Sequence, residues 1–339
     1  MTTGSLADSS VGYKIESVYG TAVTVDRFVE FVDETFDYEK KVVQGVGLRV
    51  GSVVARSPRR VVTETSGKGD LTVEMVTKGL GTLLKACMGY GESNLSTGST
   101  YQQRFLLSTG TTGPSLTLQK TSPRVDGTLD SYTWNGGVCD SFEIDCANGD
   151  IVKLKSSWIF RELKTDTAYA TPSYVSSPNL FHFAQGAITV GGTVTAPTTT
   201  ALATGGTAVA NVRDFNVKVD NKLTADRFNA GGAGKMVAPT YGLRDISGKM
   251  TIEYDAQTMM NAFLADTELA LSLTFTSTEA VTGGYATLQI VLPAIKLNGE
   301  LPKTNGAELI TQSVDFDVLD NLVAAAPMYI VLRTADTAL

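Results

Sequence analysis

The segment SGKGDLTVEM spans residues 66–75, and a related segment, SGKMTIEY, spans residues 247–254. Each begins with Ser-Gly-Lys and then alternates apolar with polar residues up to a glutamate and one large apolar side chain. This period-two alternation predicts a strand with one buried and one solvated face, which is typical of antiparallel sheets. Because the phrase occurs once in each half of the chain, we expect two related units built around such a strand.

A phosphate-binding loop is the alternative interpretation of Ser-Gly-Lys. That loop requires G-x-x-x-x-G-K-[ST] and precedes a helix, whose N-terminus binds the phosphate. Here Lys68 is followed by Gly69 and Lys249 by Met250, and each phrase precedes a predicted strand. We therefore interpret Ser-Gly-Lys as a turn that leads into a strand.

Alternation of this kind recurs along the chain and is separated by Asn-Gly and Gly-Gly turn signals. It occurs at residues 142–146, 215–219, 269–275 and 314–318. Only two segments have the 3.6-residue apolar period of a helix. They are residues 76–88 and residues 255–265, where Asp255 is the predicted N-cap. Each predicted helix directly follows a Ser-Gly-Lys strand.

The chain has 339 residues, a length that predicts about two domains. We place a first unit at residues 1–165, a connector at 166–179 and a second unit at 180–339. Residues 191–210 are rich in Thr, Ala and Gly and are predicted to form a flexible insertion or long exposed loop. Residues 91–100 also read as a loop by composition.

The net charge is −7, whereas sequence-specific DNA-binding proteins usually carry the opposite sign. Three cysteines without a Cys-x-x-Cys motif do not predict a zinc site or a disulfide framework. His182 is the only histidine, so no catalytic triad has a candidate base besides it. We predict no enzyme, cofactor or metal. The polar start resembles no signal peptide, and no apolar run is long enough to span a membrane, so no membrane partner is expected.

Two charged clusters have competing interpretations. Asp315 and Asp317 share one face of a predicted strand, where a cation site is less favoured than a solvated strand face. Arg56, Arg59 and Arg60 form a basic cluster that could bind phosphate. In an acidic chain, an ion pair between subunits or a solvated loop tip is the favoured interpretation.

The opening GYKIESVYGT, residues 12–21, resembles the G-x-x-x-E-x-x-x-G-T phrase of tail tube proteins from long-tailed, siphovirus-type bacteriophages. The ending LQIVLPAIKLNGELPKTNGAELITQSVDFDVL, residues 288–319, is similar to their C-terminal hairpin. The resemblance implies a mainly β fold of two tandem tail-tube-type β-sandwich or barrel units. Each unit would be antiparallel with one flanking α-helix, in a duplicated form of the family's domain.

The resemblance also implies a function. Such proteins are structural virion subunits, assembled in the host cytoplasm, whose sheets join edge to edge into rings. Rings stack through long loops and terminal arms, and the lumen conducts DNA, which is a partner only in transit. Other partners would be tail proteins such as the tape measure and the terminator. The alternative is a carbohydrate-binding or adhesin-like β-sandwich surface protein.

Residue roles follow from the same resemblance. Glu74, Glu253, Asp315 and Asp317 are candidates for an acidic lumen wall that repels phosphate. The basic cluster at residues 56–60 is a candidate loop between rings or subunits. Duplication favours a ring of three copies with pseudo-sixfold symmetry over a ring of six.

Overall fold

The structure is a computed structural model that describes residues 8–209, 211–299, 302, 310–337 and 339. It consists mostly of antiparallel strands, as the alternation predicts, with two short helices, α1 (Gly81–Met88) and α2 (Thr258–Leu264). The strands of the first half are β1 (Ser10–Ile15), β2 (Arg27–Val29), β3 (Phe31–Glu34), β4 (Asp37–Gln44), β5 (Arg60–Glu74), β6 (Gly89–Thr97), β7 (Thr100–Leu107), β8 (Leu116–Pro123), β9 (Leu129–Cys146), β10 (Lys153–Phe160) and β11 (Glu162–Lys164). The strands of the second half are β12 (Gly186–Val190), β13 (Val194–Thr195), β14 (Thr204–Gly205), β15 (Ala208–Val209), β16 (Val212–Asp220), β17 (Asp245–Glu253), β18 (Leu269–Val281), β19 (Gly284–Gly299), β20 (Thr311–Val318) and β21 (Tyr329–Thr334).

One long sheet runs through both halves, in the order β4-β5-β10-β9-β16-β17-β20-β19. Strand β3 lies beside β4 on the same side of β5. The halves meet where the C-terminal part of β9 pairs with β16, from Cys146 opposite Phe215 to Ser141 opposite Asp220. Backbone pairing therefore continues from one half to the other without a break.

A second layer covers the long sheet. In the first half it has the order β2-β1-β8-β9-β11, and in the second half β15-β12-β18-β19-β21-β7-β6. Strands β9 and β19 are long enough to contribute to both layers. Buried side chains from both halves pack between the layers as one continuous hydrophobic cluster.

The prediction that Ser-Gly-Lys forms a turn is wrong, because both phrases lie inside strands β5 and β17. Gly248 pairs with Phe316 and Gly67 with Phe160. A Cβ at Gly248 would lie 2.3 Å from Phe316 Cζ, and one at Gly67 would lie 2.8 Å from Trp134 Cδ1. Glycine is needed at both positions because large aromatic side chains pack directly against the backbone.

The two halves repeat one local pattern of pairing. In the first, Tyr38 of β4 lies opposite Gly67, which lies opposite Phe160 of β10. In the second, Val217 of β16 lies opposite Gly248, which lies opposite Phe316 of β20. Strand β16 thus holds the position in its half that β4 holds in the first.

Both helices are shorter than predicted. Helix α1 begins at Gly81 rather than at residue 76, because Gly79 has φ +87° and residue 76 pairs with Leu180 as an isolated bridge. Helix α2 begins after Gln257, so Asp255 is not its N-cap. Each helix still follows its Ser-Gly-Lys strand, as predicted.

Two segments that were expected to be loops make strand contacts. Residues 91–100 lie mostly in the β6–β7 hairpin, and β7 pairs with β21 of the other half. Residues 191–209 contain the short strands β13, β14 and β15. The connection between β13 and β14 is held by Gln102, whose Nε2 donates to the Thr198 and Ala201 carbonyls at 2.9 Å. Residue 210 lies outside the described residues.

Candidate assembly surfaces

One face of the long sheet is polar across all of its strands, and we call it the polar face. Its first row, read across neighbouring strands, is Glu74, Lys153, Asp145, Asn216, Lys249, Asp315 and Asn298. The next row is Thr72, Lys155, Glu143, Lys218, Ser247, Asp317 and Lys296. Side chains alternate between the two faces along each strand, so the residues between these rows point into the core.

The four acidic residues predicted to share a function do share this face. Glu74 lies in the first row with Asp315, Asp317 lies in the second, and Glu253 pairs with Thr311 on the same side of β17. Strand alternation places them there because each lies an even number of residues from another polar-face residue of its own strand. Whether the face lines a lumen stays a prediction.

The polar face is mixed in charge rather than uniformly acidic. Lys155 Nζ lies 3.1 Å from Asp145 Oδ2, and Lys249 Nζ lies 4.0 Å from Asp315 Oδ1. Lysines lie next to carboxylates in both rows, so cross-strand attraction stabilises the sheet locally. The two rows together hold five carboxylates and five lysines, so they carry no net charge.

Carboxylates crowd where β9 bulges next to β16. Burial raises the pKa of Asp140, and the negative charge of Asp220 raises it further. Lys222 Nζ donates to Asp220 Oδ2 at 2.6 Å and holds that second carboxylate in its ionised form. The bulge thus concentrates negative charge at one junction between the halves.

The long sheet ends in two open edges within the described chain. Strand β4 pairs only with β5, and residues 296–299 of β19 pair only with β20. An unpaired edge presents a row of free N–H and C=O groups that another strand can bind. Both edges are therefore candidate sites for a strand from another copy.

The hairpin that joins β4 to β5 projects from the sheet, and we call residues 45–59 the projecting loop. Its apolar side chains are almost fully exposed, with Leu48 and Val50 near 100%. Arg56, Arg59 and Arg60 lie at the base of this loop, where residues 57–59 form a 3-10 turn. The sequence analysis identified the arginines but missed the exposed apolar residues. The signal for them is the run GVGLRVGSVV at residues 45–54, in which apolar residues recur without a predicted partner strand.

The G-x-x-x-E-x-x-x-G-T phrase has a physical explanation. Glu16 is buried, and its carboxylate accepts hydrogen bonds from Gly20 N at 2.8 Å, Ser115 Oγ at 2.7 Å, Thr117 Oγ1 at 2.9 Å and Gly136 N at 2.8 Å. Gly20 has φ +71°, a conformation that glycine adopts without strain. The glutamate therefore fixes the segment after β1 to strands β8 and β9.

The described residues contain no cluster of three or more His, Cys, Asp or Glu side chains able to hold a metal ion. His182 precedes a 3-10 turn at residues 183–185, and all three cysteines are buried free thiols. Within the part of the chain that the structure describes, no helix is long and apolar enough to cross a bilayer.

Comparison with known proteins gives one family. No curated protein matches the chain. A family model described as phage tail tube protein matches residues 7–318, which is nearly the whole chain. That family groups structural components of the virion tail and is not a family of enzymes. The match over residues 7–318 shows that this chain belongs to the phage tail tube protein family.

Proposed function

We propose that three copies of this chain close into a ring of the tail tube, and that stacked rings form the channel for DNA. Each copy contributes two related units, so the ring has pseudo-sixfold symmetry. The β19 edge of one copy pairs with the β4 edge of the next. Ring assembly takes place in the host cytoplasm, and the tube then contacts other tail proteins such as the tape measure and the terminator.

The junction inside the chain is the observation that carries this proposal. There, the end of β9 pairs antiparallel with β16 over residues 141–146 and 215–220. In the order of the long sheet, β9 is the last strand of the first half and β19 is the last strand of the second half. Strand β4 corresponds to β16, because each pairs with the Ser-Gly-Lys strand of its own half. Pairing of β19 with β4 of another copy would therefore repeat an existing junction and leave no open edge.

The width of the resulting barrel favours three copies. The long sheet has eight strands, β4, β5, β10, β9, β16, β17, β20 and β19. With strands about 4.8 Å apart and tilted by about 40°, three copies give a barrel about 50 Å across, and six copies give about 100 Å. The narrower barrel accommodates one DNA duplex with room for the side chains of the polar face.

The polar face would line this lumen because the opposite face of the sheet is covered by the second layer. Its mixed rows expose carboxylates such as Asp315 and Asp317, each of which lies next to one lysine in its row. Alternating charges prevent a continuous basic track, so phosphates find no line of neutralising partners along the wall. Such a surface lets DNA slide rather than bind.

Electron cryomicroscopy of assembled tubes tests the proposal. We expect threefold symmetry with pseudo-sixfold density and a continuous barrel wall about 50 Å across. Strict sixfold symmetry, or rings in which β4 and β19 are solvent-exposed, would refute the proposed ring.

A proline variant tests the β4 edge in solution. Gly45 N donates to the Arg59 carbonyl at 2.9 Å, so by alternation the N–H of Val42 points away from β5. Val42→Pro therefore removes an edge donor while keeping the β5 pairing, and we expect folded chains that do not form rings. Val125→Pro, at the second position of the exposed Arg124–Gly127 turn, is the matched control and should form rings normally.

A further inference from the structure

Residues 166–179 lie across the outer side of the second layer and are fastened to strand β8. Leu118 of that strand points into the core, so its neighbour Gln119 points to the outer side. The Gln119 Nε2 donates to the Ala168 carbonyl at 3.0 Å, and the Ala170 N–H donates to Gln119 Oε1 at 2.9 Å. These two hydrogen bonds fix the backbone on both sides of residue 169.

A cleft of about 400 Å³ opens between this segment and the start of β1. Its volume falls in the range of sites that bind small molecules. One wall carries Tyr169 and Tyr174 of the fastened segment, and another carries Asp8, Ser9 and Ser10. The cleft therefore combines an aromatic wall with a polar one.

The aromatic wall is both ordered and accessible. Tyr169 is 37% exposed and Tyr174 is 45% exposed. The Tyr174 ring packs edge-on against Phe28, with ring centroids 6.2 Å apart. Burial raises the pKa of Tyr174 and the nearby Tyr169 raises it further, so both hydroxyls belong to one site. A tyrosine ring offers an apolar body and a polar tip, and here two of them stand side by side.

The polar wall holds a hydroxyl that lacks a partner. Ser10 is only 2% exposed, and its Oγ has no hydrogen-bond partner among the described residues. Buried hydroxyls are normally hydrogen-bonded, so a ligand group that reaches Ser10 gains a bond without breaking another. Ser9 is half-buried beside it, and Asp8 is exposed at the mouth of the cleft. The wall thus offers a buried hydroxyl and an accessible carboxylate.

The charge of the cleft selects the class of ligand. None of the described residues that line it is basic, and Arg124 of the adjoining turn donates to both carboxylate oxygens of Asp130 at 2.6 Å. An anion therefore finds no free cation here. An ammonium group can only donate hydrogen bonds, whereas serine hydroxyls both donate and accept, as the hydroxyls of a sugar do. The apolar C–H face of a sugar ring also matches a tyrosine ring.

We propose that this cleft binds one or two units of a neutral saccharide, with Tyr169 and Tyr174 against the sugar rings and Ser10 and Asp8 bonded to their hydroxyls. The cleft lies on the outer side of the second layer, so the proposed ring leaves it accessible on the outside of the tube. Binding requires only the first half of one chain, and the proposal therefore does not rest on the ring.

Saturation-transfer difference NMR with the full-length chain tests the proposal. The probes are methyl α-D-glucopyranoside, methyl β-D-galactopyranoside and N-acetyl-D-glucosamine, and we expect transfer to at least one of them. Tyr169→Ala should weaken that binding by about tenfold, because it removes one packed aromatic ring. Tyr90→Ala is the matched control, since Tyr90 is 45% exposed on β6, and it should bind as the wild type does.

Ser10→Ala separates a binding role from a structural one. It should weaken saccharide binding without lowering the melting temperature, because the hydroxyl that it removes has no partner in the described structure. Absence of transfer to all three sugars would overturn the proposal, as would wild-type affinity in both Tyr169→Ala and Ser10→Ala. Choline bound more tightly than every sugar would identify a cation site and also overturn it. Failure of the chain to form rings would refute the proposed function alone.

Discussion

Replacement of Gly248 by alanine tests the packing that keeps the long sheet continuous. A Cβ at this position would lie 2.3 Å from Phe316 Cζ and 2.6 Å from the Asn216 carbonyl oxygen. Ordinary carbon contacts are about 3.5–4.0 Å, so both atoms would have to move. The phenyl ring can rotate, but the carbonyl belongs to the paired strand β16.

The expected change in the free energy of unfolding is the sum of two opposing contributions. Overpacking of a closely packed site costs about 1–3 kcal/mol. Removal of a glycine from a strand returns about 0.5–1 kcal/mol, because the unfolded chain loses conformational freedom. Since the contact with a backbone oxygen cannot be relieved by side-chain rotation, we expect a net loss of about 2 kcal/mol in the free energy of unfolding.

Urea denaturation followed by circular dichroism measures this loss. Gly110→Ala is the control, because Gly110 is exposed and its nearest heavy atom to an added Cβ is 3.2 Å away, so a change below about 0.5 kcal/mol is expected. In a Phe316→Leu background, which removes Cζ, Gly248→Ala should cost less but still destabilise. Wild-type stability of Gly248→Ala, or equal costs in both backgrounds, would refute the reasoning.

Three further predictions concern carboxylates that are buried or partly buried. Glu16→Gln should lower the free energy of unfolding by about 2 kcal/mol, measured by urea denaturation, because an amide cannot accept all of the hydrogen bonds that the charged oxygens accept; wild-type stability would contradict this. Although burial opposes it, the hydrogen bond from Lys78 lowers the pKa of Glu279, so stability should fall as pH drops below about 4.3, and this dependence should weaken in Glu279→Gln. The pKa of Asp140 is raised by burial and by the charge of Asp220, so the ionised form of Asp140 destabilises the fold at neutral pH. We therefore expect Asp140→Asn to have a higher melting temperature than the wild type at pH 7, and the same melting temperature at pH 3. An unchanged melting temperature at pH 7 would count against this.

Strands were predictable where alternation is supported by a buried face. Residues 314–318 alternate as the sequence shows, with Val314 and Phe316 buried and the two aspartates exposed. The four acidic candidates could be placed on one face for the same reason, because strand period fixes which side chains are neighbours. Local pattern and tertiary structure agree at these positions.

The wrong predictions of local structure have a common physical cause, which is tertiary contact. Gly67 and Gly248 read as turn residues, yet they lie inside strands because aromatic rings occupy the space of their side chains. Residues 91–100 have the composition of a loop, but the pairing of β7 with β21 from the other half holds them as a hairpin. Propensity is a weak prior where a distant strand supplies the hydrogen bonds.

The polar face and the projecting loop show what composition alone conceals. A net charge of −7 suggested an acidic wall, whereas cross-strand pairing alternates lysines with carboxylates. Residues 45–62 hold four arginines and no carboxylate, so the rest of the chain is still more acidic than the net charge indicates. The charge of each surface is therefore set by which strands pair and not by the net charge.

The presence of both halves in one chain changes the energetics of the proposed ring. A ring of six separate units needs five associations, and each one costs about 4–15 kcal/mol in translational and rotational freedom. Three linked pairs need only two, because the junction between β9 and β16 forms within the chain and the last interface of a ring closes within the complex. Residues 221–244 of the second half also contact the first half of the same chain, through the hydrogen bond from Thr65 N to the Gly234 carbonyl and the ion pair of Lys235 with Glu162. These contacts add to the strand pairing that holds the two halves together, and they form without any association between chains.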